Sequence, residues 1–494
     1  MTQTQPANLI IFVSDNHNST VLGCAGHPAV DTPTLDRLAA TGARFDNAYC
    51  ASPICAPARA ALATGRFPHQ TGHWDNCLVF DGSTDSWMHR LRAAGHCVTS
   101  VGKLHFRRSG PHNGFSEELL PLHIINGVGA LTGLLRASDR PPSLAGQWEF
   151  YAEQSGPGTS DYQDYDRDIT QAAITWLRDS ARSAGADAPW VLLVSYPSVH
   201  PPFSVPERLW QRYVDRPMPL PAAFAPGQRC EHPAFQHLRQ VWGWQDMTDE
   251  DMLRRVAAGY CALTTHLDEQ IGAVLDVAAE EGLLDSTRVL YTSDHGESLG
   301  HQGLFGKAHL LDSAAKVPLL MAGPGVPRGQ VIHEPVSAVD LFPTILEAAG
   351  CDLQAADADL PGQSLWPAIA GEGHAAAPIF AEFHGNGTKA GTYMLRLGNH
   401  KLIRHAGGMP SQLFDLQADP HECHDLAAEA AHRDQLKALE NQLAERLDID
   451  AVDARAKADQ RAYAETHGGF DAIRRQGNFA YTPPPGSKAV YQTR

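Results

Sequence analysis

The run Cys55-Ala56-Pro57-Ala58-Arg59-Ala60-Ala61-Leu62-Ala63-Thr64-Gly65 decides the reading of this chain, because it places a thiol at the mouth of a short helix. Pro57 suits the first turn, where its missing N–H is no loss. Ala58 to Ala63 favour helix, and Gly65 is a natural stop. Cys55 then faces the positive end of the helix, whose free N–H groups attract an oxyanion and depress a thiol pKa, and Arg59 projects from the same turns. By itself, Cys-x-Pro-x-Arg equally describes a buried cysteine before a proline-started helix. The surrounding sequence has to choose.

Outward from that run, Asn8 to Val13 is a continuous apolar strand that ends on Asp15, Asn16 and His17. Open parallel sheets hold ligands at such carboxyl ends, although Asp15-Asn16 alone is an ordinary turn pair. Val289 to Thr292 leads to a second end of this kind, Ser293-Asp294-His295-Gly296-Glu297. Two clusters from two strand ends can share one cation, which makes Asp15, Asn16, Asp294 and His295 candidate ligands. Oxygen donors suit Ca²⁺ or Mg²⁺, and an imidazole admits Mn²⁺ or Zn²⁺. Cys97 to Val101 reads as another strand, running into Gly102-Lys103-Leu104-His105-Phe106. Alternation along an extended segment puts Lys103 and His105 on one face, where both reach one anion. Trp190 to Val194 is a further buried strand, and it releases His200 ahead of Pro201-Pro202. Taken alone, Lys307 in its Gly-rich loop and Asn76 in His73-Trp74-Asp75-Asn76 read as surface groups.

With Leu62, Thr64-Gly65-Arg66 and Gly72, the Cys55 run resembles the signature of the type I sulfatases, within the alkaline-phosphatase-like superfamily. Five separated strings recur in the family's order. Gly102 to Phe106, Asp294-His295 and the Pro-rich tail are most similar to choline-sulfatase-type members. The resemblance implies an α/β fold with a large mixed, mostly parallel sheet sandwiched by helices. It also implies that a formylglycine-generating enzyme oxidises Cys55 to formylglycine, whose hydrate attacks sulfur beside a divalent metal, Ca²⁺ foremost, held by Asp15, Asn16, residue 55, Asp294 and His295. Lys103 and Lys307 would then grip the sulfate, Arg59 would orient the diol, His200 would protonate the leaving alcohol and His105 would deprotonate the second hydroxyl. Asn76 would touch the transferred group. This chain departs from the usual pattern at Ala58, where the family carries serine, at His295, where many members carry asparagine, and at Asn16, where others carry aspartate.

At 494 residues the chain exceeds one small core and suggests a large α/β domain with a smaller appendage. Residues 1–377 read as the catalytic domain and 378–475 as an α+β subdomain, with a small antiparallel sheet and a helix from Arg433 to Leu447. The Pro-rich tail, 476–494, suits packing across a neighbouring subunit of a homo-oligomer. Residues 107–185 scatter Gly, Pro and Ser among short apolar pieces and read as the lining or cover of a pocket. Thr248 with Asp251 approximates a capping box opening a long amphipathic scaffold helix.

A net charge of −17 without runs of Lys or Arg speaks against a nucleic-acid partner. Apolar runs such as Leu9 to Val13 are too short to span a bilayer. Nine scattered cysteines read as reduced thiols, and Met1 to Pro6 lacks a basic secretory n-region, so the expected compartment is the cytoplasm. The expected substrate is a small sulfate ester. The runner-up is a phosphonate monoester or phosphodiester hydrolase, a group that tends to lack the Lys-x-His pair. A non-catalytic anion-binding protein is the reading from another class.

Overall fold

The computed structural model describes residues 5–140, 144, 146, 152–185, 188–373, 377–479, 481–489, 491 and 492. The leader reading at Met1 to Pro6, the pocket-cover reading of 107–185 and the tail reading fall partly outside them.

Strand β1 (Asn8–Ser14) is buried from Leu9 to Ser14. A run apolar on both faces belongs in the middle of a parallel sheet covered on both sides. It is joined by β2 (Gly42–Phe45), β3 (Val98–Lys103), β4 (Glu117–Leu122), β5 (Val191–Ser195), β6 (Thr287–Ser293), β7 (Leu319–Ala322) and β8 (Gln330–Ile332), in the order β8-β2-β7-β6-β1-β5-β3-β4. The block β6-β1-β5-β3-β4 is parallel throughout. β7 runs antiparallel to both its neighbours, and β8 is parallel to β2. The sheet is therefore mixed and mostly parallel, as expected. Pairing of Val13 with Ser195 and of Ser14 with Ser293 brings three carboxyl ends level.

Helices flank this sheet. They include α1 (Pro33–Thr41), α2 (Cys55–Thr64), α3 (Asp161–Asp179), α4 (Glu250–Glu280) and α5 (Leu341–Ala349). α3 packs on β3 and β5, α4 packs on α1 and α3, and α5 packs on β1 and α2. α4 is capped one residue later than expected: the Asp249 side chain accepts from the N–H of Asp251 at 2.9 Å and of Met252 at 3.1 Å. A carboxylate at the cap satisfies two free donors at once, which the Thr248 hydroxyl is not placed to do.

Past residue 377, β9 (Ile379–Phe383), β10 (Thr392–Leu397), β11 (His400–His405) and β12 (Gln412–Asp415) form an antiparallel sheet, on which α6 (Arg433–Arg446) packs. The next helix, α7 (Ile449–Glu465), reaches back to the first part of the chain. Trp74 Nε1 donates to Asp459 Oδ2 at 2.8 Å, and Gln460 Nε2 donates to Asp75 Oδ2 at 2.7 Å. Trp74 and Asp75 are buried by this contact, so the segment around Asn76 is interior rather than a surface turn.

The tail also packs on its own chain. Tyr162 in α3 donates its hydroxyl to Thr482 O at 2.8 Å, and the Tyr162 and Tyr481 rings lie 4.9 Å apart. No helix among the described residues is long and apolar enough to cross a membrane.

Candidate active site

Four strand ends converge under the N-terminus of α2. β1 delivers Asp15 and Asn16, β6 delivers Asp294 and His295, β3 delivers Lys103 and then His105, and β5 delivers Ser195 and then His200. α2 begins at Cys55 itself. Its preceding residue, Ile54, offers no side-chain cap, and Gly65 ends the helix at φ +65°. Asn76 supplies the missing cap from elsewhere: its Oδ1 accepts from the N–H of Ala56 at 3.0 Å.

The route to Lys103 and His105 differs from simple alternation. Gly102 has φ +97°, the β3–β4 register shifts between Val101 and Lys103, and His105 itself has φ +55°. A Cβ at Gly102 would lie 2.2 Å from Ser195 O, so the bulge needs glycine. Through this bulge and the left-handed turn after it, both side chains enter one cavity of about 150 Å³. Cys55, His200, Lys307, Asn16 and Asn76 line the same cavity.

Arg59 is 5% exposed and fully engaged. Its Nε donates to Asp294 Oδ2 at 2.9 Å, Nη1 donates to Lys103 O at 2.7 Å and Ser195 Oγ at 2.8 Å, and Nη2 reaches Asp15 Oδ2 at 3.4 Å. The planar fork thus clamps both carboxylates and the end of β3, which one ammonium could not do.

Cys55 Sγ lies 3.1 Å from Lys307 Nζ, 3.3 Å from His295 Nε2 and 3.6 Å from Asp15 Oδ1. Lys103 Nζ pairs with Asp15 Oδ2 and sits 5.8 Å from the centre of the Tyr162 ring. His295 Nδ1 lies 3.0 Å from Gly296 O. A carbonyl only accepts, so Nδ1 carries the proton and Nε2 turns its lone pair toward residue 55. A Cβ at Gly296 would meet Ser313 O at 2.3 Å, which keeps this turn glycine.

His200 makes the same kind of contact, with Nδ1 2.7 Å from Pro201 O, and its ring stands edge-on to Tyr162 at 5.7 Å. His105 is buried with no partner for either ring nitrogen.

Electrostatics set the charge states. Burial opposes the charge on Asp15, yet Lys103, Lys307 and Arg59 hold its carboxyl well below the usual range. Burial and then the charge of Asp15 push Asp294 up to about 7 against the three nearby cations. His105, His200 and His295 are all held neutral, first by burial and then by neighbouring cations.

Cys55 corrects an expectation. The helix end does not depress its thiol: burial, followed by the charge of Asp15, pushes it up to about 11 despite Lys307 and Lys103.

Asp15, Cys55, Asp294 and His295 bring their ligand atoms within 4.8 Å of one another, all buried. Two carboxylates, an imidazole and the side chain at 55 form a donor set that fits a divalent cation. Asn16 stands beside them, its N–H donating to Asp294 Oδ1 at 3.2 Å.

The Sulfatase family model matches residues 7–351 of this chain. The chain belongs to the sulfatase family. A second model, described as the C-terminal part of N-sulphoglucosamine sulphohydrolase, matches residues 300–448. The choline-sulfatase of Rhizobium meliloti is 30% identical to this sulfatase over 502 residues, covering 99% of this chain and 95% of its own length. Arylsulfatase K of Danio rerio is 30% identical over 464 residues, covering 85% of this chain and 80% of its own.

Among solved structures, a protein in complex with its substrate D-glucosamine-2-N,6-O-disulfate superposes with a TM-score of 0.74 at 21% identity, covering 92% of this chain and 99% of that one. The phosphonate monoester hydrolase of Agrobacterium radiobacter superposes with a TM-score of 0.71 at 23% identity, covering 91% and 96%. These two likenesses are of fold. The family membership makes this chain a hydrolase of sulfate esters.

One residue beside this site, Glu297, carried no assigned role in the sequence. Glu297 Oε2 accepts from Asn16 Nδ2 at 2.7 Å, while Oε1 accepts from the N–H of Gly306 at 2.5 Å and of Leu299 at 3.2 Å. On its other side, Asn16 Oδ1 accepts from Lys307 Nζ at 2.7 Å. A carboxylate only accepts and an ammonium only donates, so the amide orientation of Asn16 is fixed, and Glu297 ties it to the loop that carries Lys307. Tyr260 in α4 secures the backbone by donating to Asn16 O at 2.6 Å, which is how the scaffold helix bears on the site.

Asn16→Asp sets two buried carboxylates face to face and is expected to lower kcat/KM by about 10-fold or more. Adding Glu297→Gln restores a donor and should recover most of that loss. Steady-state kinetics, with thermal unfolding of each variant alongside, checks this coupling; a double variant no better than Asn16→Asp contradicts it.

Proposed function

We propose that this sulfatase cleaves a sulfate monoester with residue 55 in its formylglycine form and a divalent cation, Ca²⁺ foremost with Mg²⁺ or Mn²⁺ as substitutes, held by Asp15, Asn16, Asp294, His295 and residue 55. The observation that carries the reading is the meeting of Cys55, Lys103, His105, Lys307 and His200, from distant parts of the chain, around one cavity. When bound, the cation supplies Lewis-acid polarisation at residue 55 and screens sulfate charge.

Lys103 and Lys307 bind the sulfate oxygens, and Arg59 keeps both carboxylates in register. Asn76, which caps α2 and lines the cavity, adds a contact to the transferred group. His200 donates a proton to the departing alcohol oxygen from Nε2. An anionic ester beside the two lysines offsets the charges that hold this imidazole neutral. His105, whose ring nitrogens are free, then takes the proton that releases sulfate from residue 55.

Chelation of the purified enzyme is expected to lower activity by at least about 10²-fold, and added Ca²⁺ to restore it. Asp294→Asn should do the same with little change in melting temperature. Full activity in metal-free protein contradicts the metal assignment.

The phosphonate monoester or phosphodiester reading is kept because that fold superposes at a TM-score of 0.71. Parallel assays of 4-nitrophenyl sulfate and an aryl phosphonate ester decide between them, and hydrolysis of neither would favour the non-catalytic anion-binding protein.

We further assign residues 1–377 to catalysis, 378–475 to a supporting subdomain and 476–494 to a tail. The proposed setting is a cytoplasmic homo-oligomer matured by a formylglycine-generating enzyme.

A further inference from the structure

Resting on the sulfatase reading, we propose that the alcohol half of the substrate is an uncharged hydroxylated ring, as in a sugar sulfate, seated against Trp242, Trp244 and Asn386. All three side chains line the cavity that holds Cys55. The two indoles stack 5.3 Å apart at an interplanar angle of 13°. Trp244 is 3% exposed, and neither indole N–H has a partner. Asn386 Oδ1, from the loop after β9, is also buried without a donor. That loop is pressed onto the first indole, since a Cβ at Gly387 would lie 2.7 Å from Trp242 Nε1.

Buried polar atoms left unpaired are costly, and three of them on side chains that line one cavity mark a place where a ligand settling between those side chains completes the bonds. An indole N–H needs an acceptor, and an amide oxygen needs a donor. A hydroxyl is both. The apolar face of a ring with several hydroxyls packs on an indole while its edges reach the polar atoms. A trimethylammonium group satisfies none of the three.

Charge points the same way. Lys103 and Lys307 are the cations among the described lining residues, and the carboxylate there, Glu297, already accepts from Asn16, Leu299 and Gly306. Indole faces do attract quaternary ammonium groups, so choline sulfate is the competing substrate to measure.

The test compares kcat/KM of the purified enzyme for monosaccharide 2-, 3- and 6-sulfates, choline sulfate and 4-nitrophenyl sulfate. At least one sugar sulfate should exceed choline sulfate by about 10²-fold or more, because a site built to bond hydroxyls rejects an alcohol without them. Trp244→Phe keeps the ring and removes the N–H; it should lower the sugar-to-aryl ratio of kcat/KM about 10-fold. Asn386→Leu should lower the same ratio and stands in if the Trp244 variant misfolds. Choline sulfate equal to or better than every sugar sulfate overturns the proposal, as does a ratio unchanged in both variants. Failure to hydrolyse 4-nitrophenyl sulfate at all would instead count against the formylglycine-sulfatase reading itself.

Discussion

Cys55→Ser is expected to end multiple turnover, with a fall in steady-state rate on the order of 10⁴- to 10⁶-fold, the range seen when a nucleophile is removed. The serine oxygen would occupy the place of Sγ, 3.1 Å from Lys307 Nζ and 3.3 Å from His295 Nε2. It can therefore accept a sulfuryl group once. Its single oxygen leaves no second hydroxyl for His105 to deprotonate, so the sulfate stays. A 4-nitrophenyl sulfate assay should show at most one equivalent of nitrophenol and then silence. Normal steady-state turnover by Cys55→Ser contradicts the need for two oxygens on residue 55.

The second large effect separates the two histidines. His200 is held by its Nδ1 contact to Pro201 O at 2.7 Å, which leaves Nε2 for the leaving group. His200→Ala should cost roughly 10²- to 10⁴-fold on an alkyl sulfate, whose alkoxide needs a proton, and far less on 4-nitrophenyl sulfate. His105 acts after the ester bond has broken. His105→Ala should give a burst followed by slow turnover on both substrates, with a stable sulfate adduct in the intact-protein mass. An adduct in the His200 variant, or equal losses on both substrates in both variants, means that the roles are exchanged or shared.

The parts of this site legible in the sequence are those that local pattern writes down. Apolar runs such as Leu9 to Val13 can only be central strands, and the residues just past the end of such a strand lie at the ligand side of the sheet. That places Asp15 and Asn16 beside Asp294 and His295 once both strand ends are read together, whereas His200, farther along the loop after Ser195, rests on the family resemblance. Alternation puts Lys103 and His105 together for the wrong reason, since the bulge at Gly102 is the feature that turns them inward.

Contacts distant in sequence were not legible. Tyr162 lies in a stretch with weak local signals, yet it touches His200, Lys103 and the tail. Trp74 and Asp75 read as a turn because their covering helix, α7, comes some 385 residues later. The helix end in isolation likewise misleads about the thiol of Cys55, whose state in the folded chain burial and Asp15 decide. Trp242 and Trp244 carry no motif, and only the fold brings them to the cavity that residue 55 lines.

The most direct test of the central claim is peptide mass spectrometry of residue 55 in preparations of differing specific activity. The account predicts formylglycine at position 55 in active enzyme, with turnover of 4-nitrophenyl sulfate rising in proportion to the modified fraction. Full activity in protein that carries only an unmodified Cys55 would contradict it.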